Sequence, residues 1–252
     1  MSIAGLSQNF DRGNAPTVFV LMKHLFSLKS LAQLFFPHLC LSCQKALPQR
    51  SMFWCLTCQR NLPFTSLHAV KDNFFTQRLM GRVKIEAGMA CFYFVKGGKV
   101  QPMLHALKYG NQREVGVQLG RAYAKSLIDH PVIRTVDALV PVPLHWKKER
   151  IRGYNQAHEI AKGIGEVLEK PVYPKALLRN TNRSSQTSKS RMERLESVLS
   201  AFEMRQKDRL VGKHILLVDD VLTSGATLEA CALPILALPH TKVSMVTLAI
   251  AT

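Results

Sequence analysis

The stretch HILLVDDVLTSGAT, residues 214–227, joins a continuous apolar run to two adjacent aspartates and then to small, hydroxyl-bearing residues around one glycine. An apolar run without alternation suits a strand buried on both faces, as in the parallel sheets of α/β proteins. Such a strand delivers Asp219 and Asp220 to the sheet edge. Thr223, Ser224, Gly225, Ala226 and Thr227 then form a turn that opens a helix, whose first N–H groups lack intrahelical partners and favour anions. Carboxylates can accept hydrogen bonds from vicinal hydroxyls, and the turn can hold a phosphate monoester. Together they describe a pocket for a ribose 5-phosphate.

A strand ending in acids also suits the Mg2+ site of an ATPase or the acid pocket of a receiver domain. The ATPase reading needs a G-x-x-x-x-G-K-[ST] loop, which the sequence lacks; Gly163 and Gly165 are only a fragment of a glycine pattern inside a helical stretch. The receiver reading needs a long βα succession downstream, and 32 residues follow Asp220.

Strand and helix signals alternate through the rest of the chain. Strands are expected at 88–95, 136–144, near 172–178 and in the C-terminal KVSMVTLAI, with Pro141 and Pro143 at the exit of the second. Helices are expected over about 100–108, from Arg113 to Pro131 and from about Asn155 to Leu168, with a loop rich in Lys, Arg and Gly before the last. Pro234 and Pro239 shorten or kink the helix that follows the acid pair. Residues 179–213 are polar and charged, too long for a tight connection, and read as a mobile or functional excursion. The pattern predicts an α/β fold with a mostly parallel sheet flanked by helices, its ligands at the carboxyl ends of the strands.

Upstream, Cys40-x2-Cys43 and Cys55-x2-Cys58 are separated by eleven residues. Two such pairs match a tetrahedral four-thiolate site, so structural Zn2+ is expected, with disulfides as the alternative. His38 is surplus to a closed site. Cys91 and Cys231 stand in apolar contexts and read as core residues. Paired cysteines of this kind suit a reducing compartment, hence the cytoplasm.

The formal net charge is +17, which points to a polyanionic partner: nucleic acid, a phosphorylated ligand or an anionic membrane surface. Residues 40–84 hold seven Lys or Arg against the single acid Asp72. The apolar segment 17–36 is interrupted by Lys23, His24 and Lys29. It reads as an amphipathic helix carrying Leu21, Leu25, Leu28, Ala32 and Phe35 on one face, preceded by a tail; translation could equally begin at Met22. Peripheral attachment at the inner face of the membrane through this helix is a weaker alternative to a purely cytoplasmic location.

The run ILLVDDVLTSGATL resembles the phosphoribosyl pyrophosphate (PRPP) motif of type I phosphoribosyltransferases. Together with PVPLHWKKERIRGYNQAHEIA and the two cysteine pairs, it resembles the ComF competence-protein family from about Phe36 to Ile250. The resemblance implies a tail and helix over 1–36, a zinc module over 37–65 and a phosphoribosyltransferase-like domain over 66–252. In that domain Asp219, Asp220, Val221, Thr223, Ser224, Gly225, Ala226 and Thr227 hold PRPP. Arg150, Arg152, Gly153, Tyr154, Asn155 and Gln156 match the pyrophosphate-side loop; Gln186, Arg191 and Arg194 match the flexible loop, although Ser188 and Ser197 replace the usual Gly and Asn. Mg2+ would accompany PRPP.

Two functions follow from this resemblance. One is a competence protein that binds PRPP and single-stranded DNA and supports natural transformation, alongside other proteins of that machinery. Lys45, Arg50, Arg60, Lys108, Lys147 and Lys148 are its candidate DNA contacts, with Tyr109 and Trp146 as stacking surfaces. The alternative is an active phosphoribosyltransferase with an unidentified acceptor; no catalytic residue is assigned.

Overall fold

The computed structural model describes residues 39–47, 53–109, 112–179 and 201–252. The amphipathic helix expected over 21–36, and His38, Arg50, Gln186, Arg191 and Arg194, lie outside those residues. The mostly parallel α/β architecture expected from the sequence is present. Strands β1 (Gly88–Phe94), β2 (Ala138–Pro141), β5 (His214–Leu222) and β6 (Lys242–Ala251) form one sheet in the order β1-β6-β5-β2, every pair parallel. A two-stranded antiparallel ribbon, β3 (Leu177–Arg179) and β4 (Phe202–Met204), stands beside it.

Apolar side chains fill both faces of the large sheet. Leu216 and Val218 of β5 join one cluster with Val246, Leu248 and the helix residues Leu107, Leu119, Ile160 and Ile164. Ile215 and Leu217 point the other way, into a second cluster with Met245, Leu228, Cys231 and Ile235. Because successive strand residues face opposite sides, burial on both faces requires the unbroken apolar run seen in the sequence.

The first cluster is covered by α3 (Gln101–Tyr109), α4 (Arg113–Lys125) and α7 (Gln156–Leu168). Contact between α4 and α7 is set by glycine: a Cβ on Gly163 would stand 1.9 Å from the carbonyl oxygen of Val117, and one on Gly120 would stand 2.3 Å from that of Ile160. Gly163 therefore serves close helix packing. The second cluster is covered by α8 (Ala226–Leu236), which contains Pro234 and ends before Pro239. Short helices α1 (Leu56–Asn61), α2 (Phe74–Gln77) and α5 (Pro131–Arg134) complete the N-terminal region and the approach to β2. The cysteine-bearing segment is stitched onto the outer edge of β1, where Thr65 N–H donates to Cys91 O and Tyr93 N–H to Pro63 O.

Two expectations are corrected. The basic stretch after β2 is a helix, α6 (Trp146–Arg152), rather than a loop: the His145 ring accepts from Lys147 N–H at its start, and left-handed Gly153 closes its end by donating to Glu149 O at 2.7 Å. Of the strand expected at 172–178, Val172 makes only an isolated bridge to Leu139, and pairing begins at Leu177. Of the polar excursion at 179–213 the described parts are ordered: Arg179 pairs with Phe202, and Lys207–Arg209 forms a 3-10 turn.

Replacing Gly163 by Ala forces α4 and α7 apart against their backbones. The expected cost is about 1–3 kcal/mol of unfolding free energy, the usual range for overpacking. Denaturant titration checks it, and an unchanged midpoint would contradict the packing described.

Candidate functional site

Strand β5 runs in register with β6 beyond the acid pair, with Asp219 opposite Thr247 and Val221 opposite Ala249. Pairing fixes the backbone beneath both carboxylates. Asp220 N–H donates to Asp219 Oδ1 at 2.8 Å, and Lys108 Nζ, from the last turn of α3, lies 3.0 Å from Asp220 Oδ2. Part of Asp219 meets solvent. The crowded strand end nevertheless withholds water from its carboxyl; this burial and the neighbouring Asp220 hold its pKa well above the ordinary carboxylate range. Two acids placed together at the end of a buried strand cost stability, and such arrangements concentrate at functional sites.

Beyond Leu222 the chain turns through exposed Thr223 and Ser224 into left-handed Gly225, which caps α8. A Cβ at Gly225 would meet Leu79 at 2.8 Å, and its φ of +83° is one that other residues rarely adopt. The carbonyls of this turn are held from outside. Arg78 donates to Thr223 O, and Arg82 donates to Ser224 O at 2.7 Å and pairs with buried Glu229 of α8. With the carbonyls engaged, the first-turn amides of α8 remain; the donor bond from Ala226 N–H to Ser224 Oγ is long, at 3.5 Å. Hydroxyls, amides and a glycine kink suit a phosphate group. Arg78 and Arg82 lie over 140 residues away in sequence, and no local spacing pointed to them as supports for this turn.

A second element reaches the same end of the sheet. Asn155 begins α7, its Oδ1 accepting from Ala157 N–H while its Nδ2 donates to Val142 O at 2.9 Å. Tyr154 is buried and donates to Leu107 O at 2.5 Å. Arg113 donates to Gly153 O and lies over the Tyr154 ring. Arg152 donates to Gln156 Oε1 at 2.7 Å, and its guanidinium sits 5.4 Å from the centre of the Tyr109 ring. Tyr154 and Asn155 thus position backbone, whereas Arg152 and exposed Arg150 are the cations available to a ligand. The end of α3 joins both elements: Leu107 binds Tyr154, Lys108 binds Asp220 and Tyr109 stacks with Arg152.

The sulfurs of Cys40, Cys43, Cys55 and Cys58 all lie within 4.8 Å of one another, and Cys43 Sγ is 3.7 Å from Cys55 Sγ. Tetrahedral zinc with Zn–S bonds of about 2.3 Å requires edges of about 3.8 Å, so the donor set fits. Backbone N–H groups of Cys55 and Cys58 point at Cys40 Sγ and Cys55 Sγ, each at 3.4 Å. Burial opposes ionisation of Cys40, but the N–H groups of Cys43, Cys55 and Ser42 outweigh it and bring that thiol down to about 6. Burial pushes Cys58 up to about 12. A divalent cation is what would stabilise all four as thiolates. The cluster can hold a metal ion, consistent with structural zinc. Cys91 and Cys231 are buried apart from it.

Among the remaining candidates, Lys45, Arg60, Lys147 and Lys148 are exposed and form no ion pair among the described residues. Lys108 differs, being engaged with Asp220. Among the described residues no helix is long and apolar enough to cross a membrane.

No protein-family model matches the chain. Among curated proteins, Competence protein ComFC of Bacillus subtilis is 37% identical over 94 residues, covering 37% of this chain and 36% of that protein. Competence protein F of Haemophilus influenzae is 26% identical over 140 residues, 53% of this chain and 61% of that protein. DNA utilization protein YhgH of Escherichia coli is 25% identical over 136 residues, covering 53% and 59%. The matched segments therefore span between about a third and three fifths of the length of these relatives.

Two outcomes test the site. Cys43→Ser or Cys58→Ser should lower bound zinc from one equivalent towards none by elemental analysis; an unchanged zinc content would show that the metal sits elsewhere. Asp219→Asn keeps the acceptor for Asp220 N–H and removes a carboxyl that burial holds protonated at raised pH. The folded state retains a proton that the unfolded chain releases, so wild-type stability falls as pH rises above the ordinary carboxylate pKa. Asp219→Asn should flatten that fall and raise the melting temperature at neutral pH by a few degrees, as followed by thermal melts across pH. A variant less stable at every pH would contradict the assignment.

Proposed function

We propose that the chain is a ComF-type competence protein, on its likeness to the competence and DNA utilization proteins above. On that footing it serves competence or DNA utilisation, handling single-stranded DNA, and its β5–α8 junction binds a ribose 5-phosphate such as PRPP. The observation that carries the ligand reading is the junction itself, where Asp219 and Asp220 adjoin a glycine-kinked turn with outward-held carbonyls. The acids would accept hydrogen bonds from the ribose hydroxyls, and the Thr223–Thr227 amides and hydroxyls would hold the 5-phosphate. Arg152 and Arg150 supply positive charge on the side where a pyrophosphate would lie. Mg2+ bound with the ligand would neutralise the pyrophosphate and the acid pair together.

The DNA reading draws on the names of the relatives and on the net charge of +17. Exposed Lys45, Arg60, Lys147 and Lys148 offer phosphate contacts whose contribution falls with added salt. The four-cysteine module would hold zinc for a structural purpose, closing a small segment whose own core is slight.

Calorimetric titration with PRPP and Mg2+ should show saturable binding that Asp219→Ala/Asp220→Ala abolishes. Binding of a labelled oligothymidylate to the same double variant should persist. Absence of PRPP binding by the wild-type protein would remove the ligand reading, and turnover of PRPP with a defined base would establish the transferase alternative.

A further inference from the structure

A groove of about 510 Å3 lies between the first cysteine knuckle and α3. Gln44 forms one wall, the Gly97-Gly98 turn closes one end, and Gln101, His105 and Tyr109 line the α3 side. It is separate from the acid pair but shares α3 with it. His105 and Tyr109 are four residues apart and so share a helix face. Lys108 leaves the adjacent face to reach Asp220.

We propose that this groove binds an unpaired base of a nucleic-acid strand, stacked on Tyr109, with Lys148 of the neighbouring α6 to meet the backbone phosphate. The proposal rests on the nucleic-acid reading above and supplies its position on the surface. Tyr109 is 63% exposed, a large aromatic surface left open to water at the mouth of a concave site. Its ring is already ordered, with His105 at 4.8 Å between ring centres and the Arg152 guanidinium at 5.4 Å. Less side-chain entropy is therefore lost when a base stacks on it.

The lining is suited to a base rather than to an apolar ligand. Gln44, Gln101 and His105 offer donors and acceptors along the groove, which is what the edge of a stacked base requires. Charge selects a strand over an uncharged molecule. Lys148, one helical turn before Arg152 on α6, shares its face and carries positive charge outward from the groove. Helix α6 carries Lys147, Lys148, Arg150 and Arg152 against Glu149 alone and has no buried residue. A paired base keeps its faces inside the duplex, so only an unpaired one can stack here.

Fluorescence anisotropy with a labelled oligothymidylate, titrated at several salt concentrations, tests the assignment on the full chain. Tyr109→Ala should weaken binding about tenfold, in the range for loss of one base–aromatic stack, without altering the slope of log affinity against log salt. Tyr109→Trp should preserve affinity. Lys148→Ala should weaken binding and lower the salt slope by about one, because it removes a phosphate contact. Tyr109 is exposed, and zinc content with the thermal melt confirms that Tyr109→Ala remains folded. Equal binding of wild type and Tyr109→Ala would overturn the groove while leaving the DNA-handling reading intact; failure of the wild-type protein to bind any oligonucleotide would overturn both. Equal affinity for duplex, or Tyr109-dependent binding of mononucleotides but not of strands, would also overturn the proposal.

Discussion

Burial of the parallel sheet on both faces is the constraint on which the rest of the molecule depends. With helices covering each face and the cysteine-bearing segment covering the β1 edge, backbone and side chains within the sheet have no access to solvent ligands. Chemistry is confined to the carboxyl ends of the strands. All four strands are parallel, so their carboxyl ends share one rim, and the polar turns after β2 and β5 meet there. Between His214 at its start and the acid pair, β5 carries only buried apolar residues, so the aspartates are its first polar groups towards the carboxyl end.

Helix α3 turns that shared rim into one connected site. Three consecutive residues at its end reach three different places: Leu107 O accepts from Tyr154, Lys108 pairs with Asp220, and Tyr109 stacks with Arg152. The pair between Lys108 and Asp220 partly offsets the repulsion between the two acids. It also means that a cation arriving with a phosphorylated sugar would compete with Lys108 for the same carboxylate.

What the sequence made legible follows from the range of the interactions concerned. The β5 strand, its acids and the turn after them are contiguous and carry their periodicity and turn chemistry within fourteen residues, so both structure and candidate roles could be read directly. The cysteine pairs are equally local, because two short spacings place the sulfurs. Helix α6 was hidden for the opposite reason. With no buried residue it has no apolar stripe, and its evidence lies only in the His145 cap and the Gly153 terminus. Gly163 carries no readable pattern either, since its need for close approach comes from a carbonyl on α4.

The support for the turn after β5 shows most clearly how charge is misread from sequence alone. Arg78 and Arg82 belong to a segment whose excess of Lys and Arg suggests a surface for polyanions, yet both guanidinium groups are engaged within the chain, on the carbonyls of Thr223 and Ser224 and on Glu229. Lys108 is engaged in the same way by Asp220. Exposed cations without an ion pair among the described residues include Lys45, Arg60, Lys147 and Lys148, on the first cysteine knuckle, α1 and α6. The net charge therefore divides into two populations: internal cations that shape the β5–α8 junction and outward cations that can attract a polyanion. The groove beside Tyr109 adjoins both, through Arg152 on one side and the Cys40–Cys43 knuckle on the other.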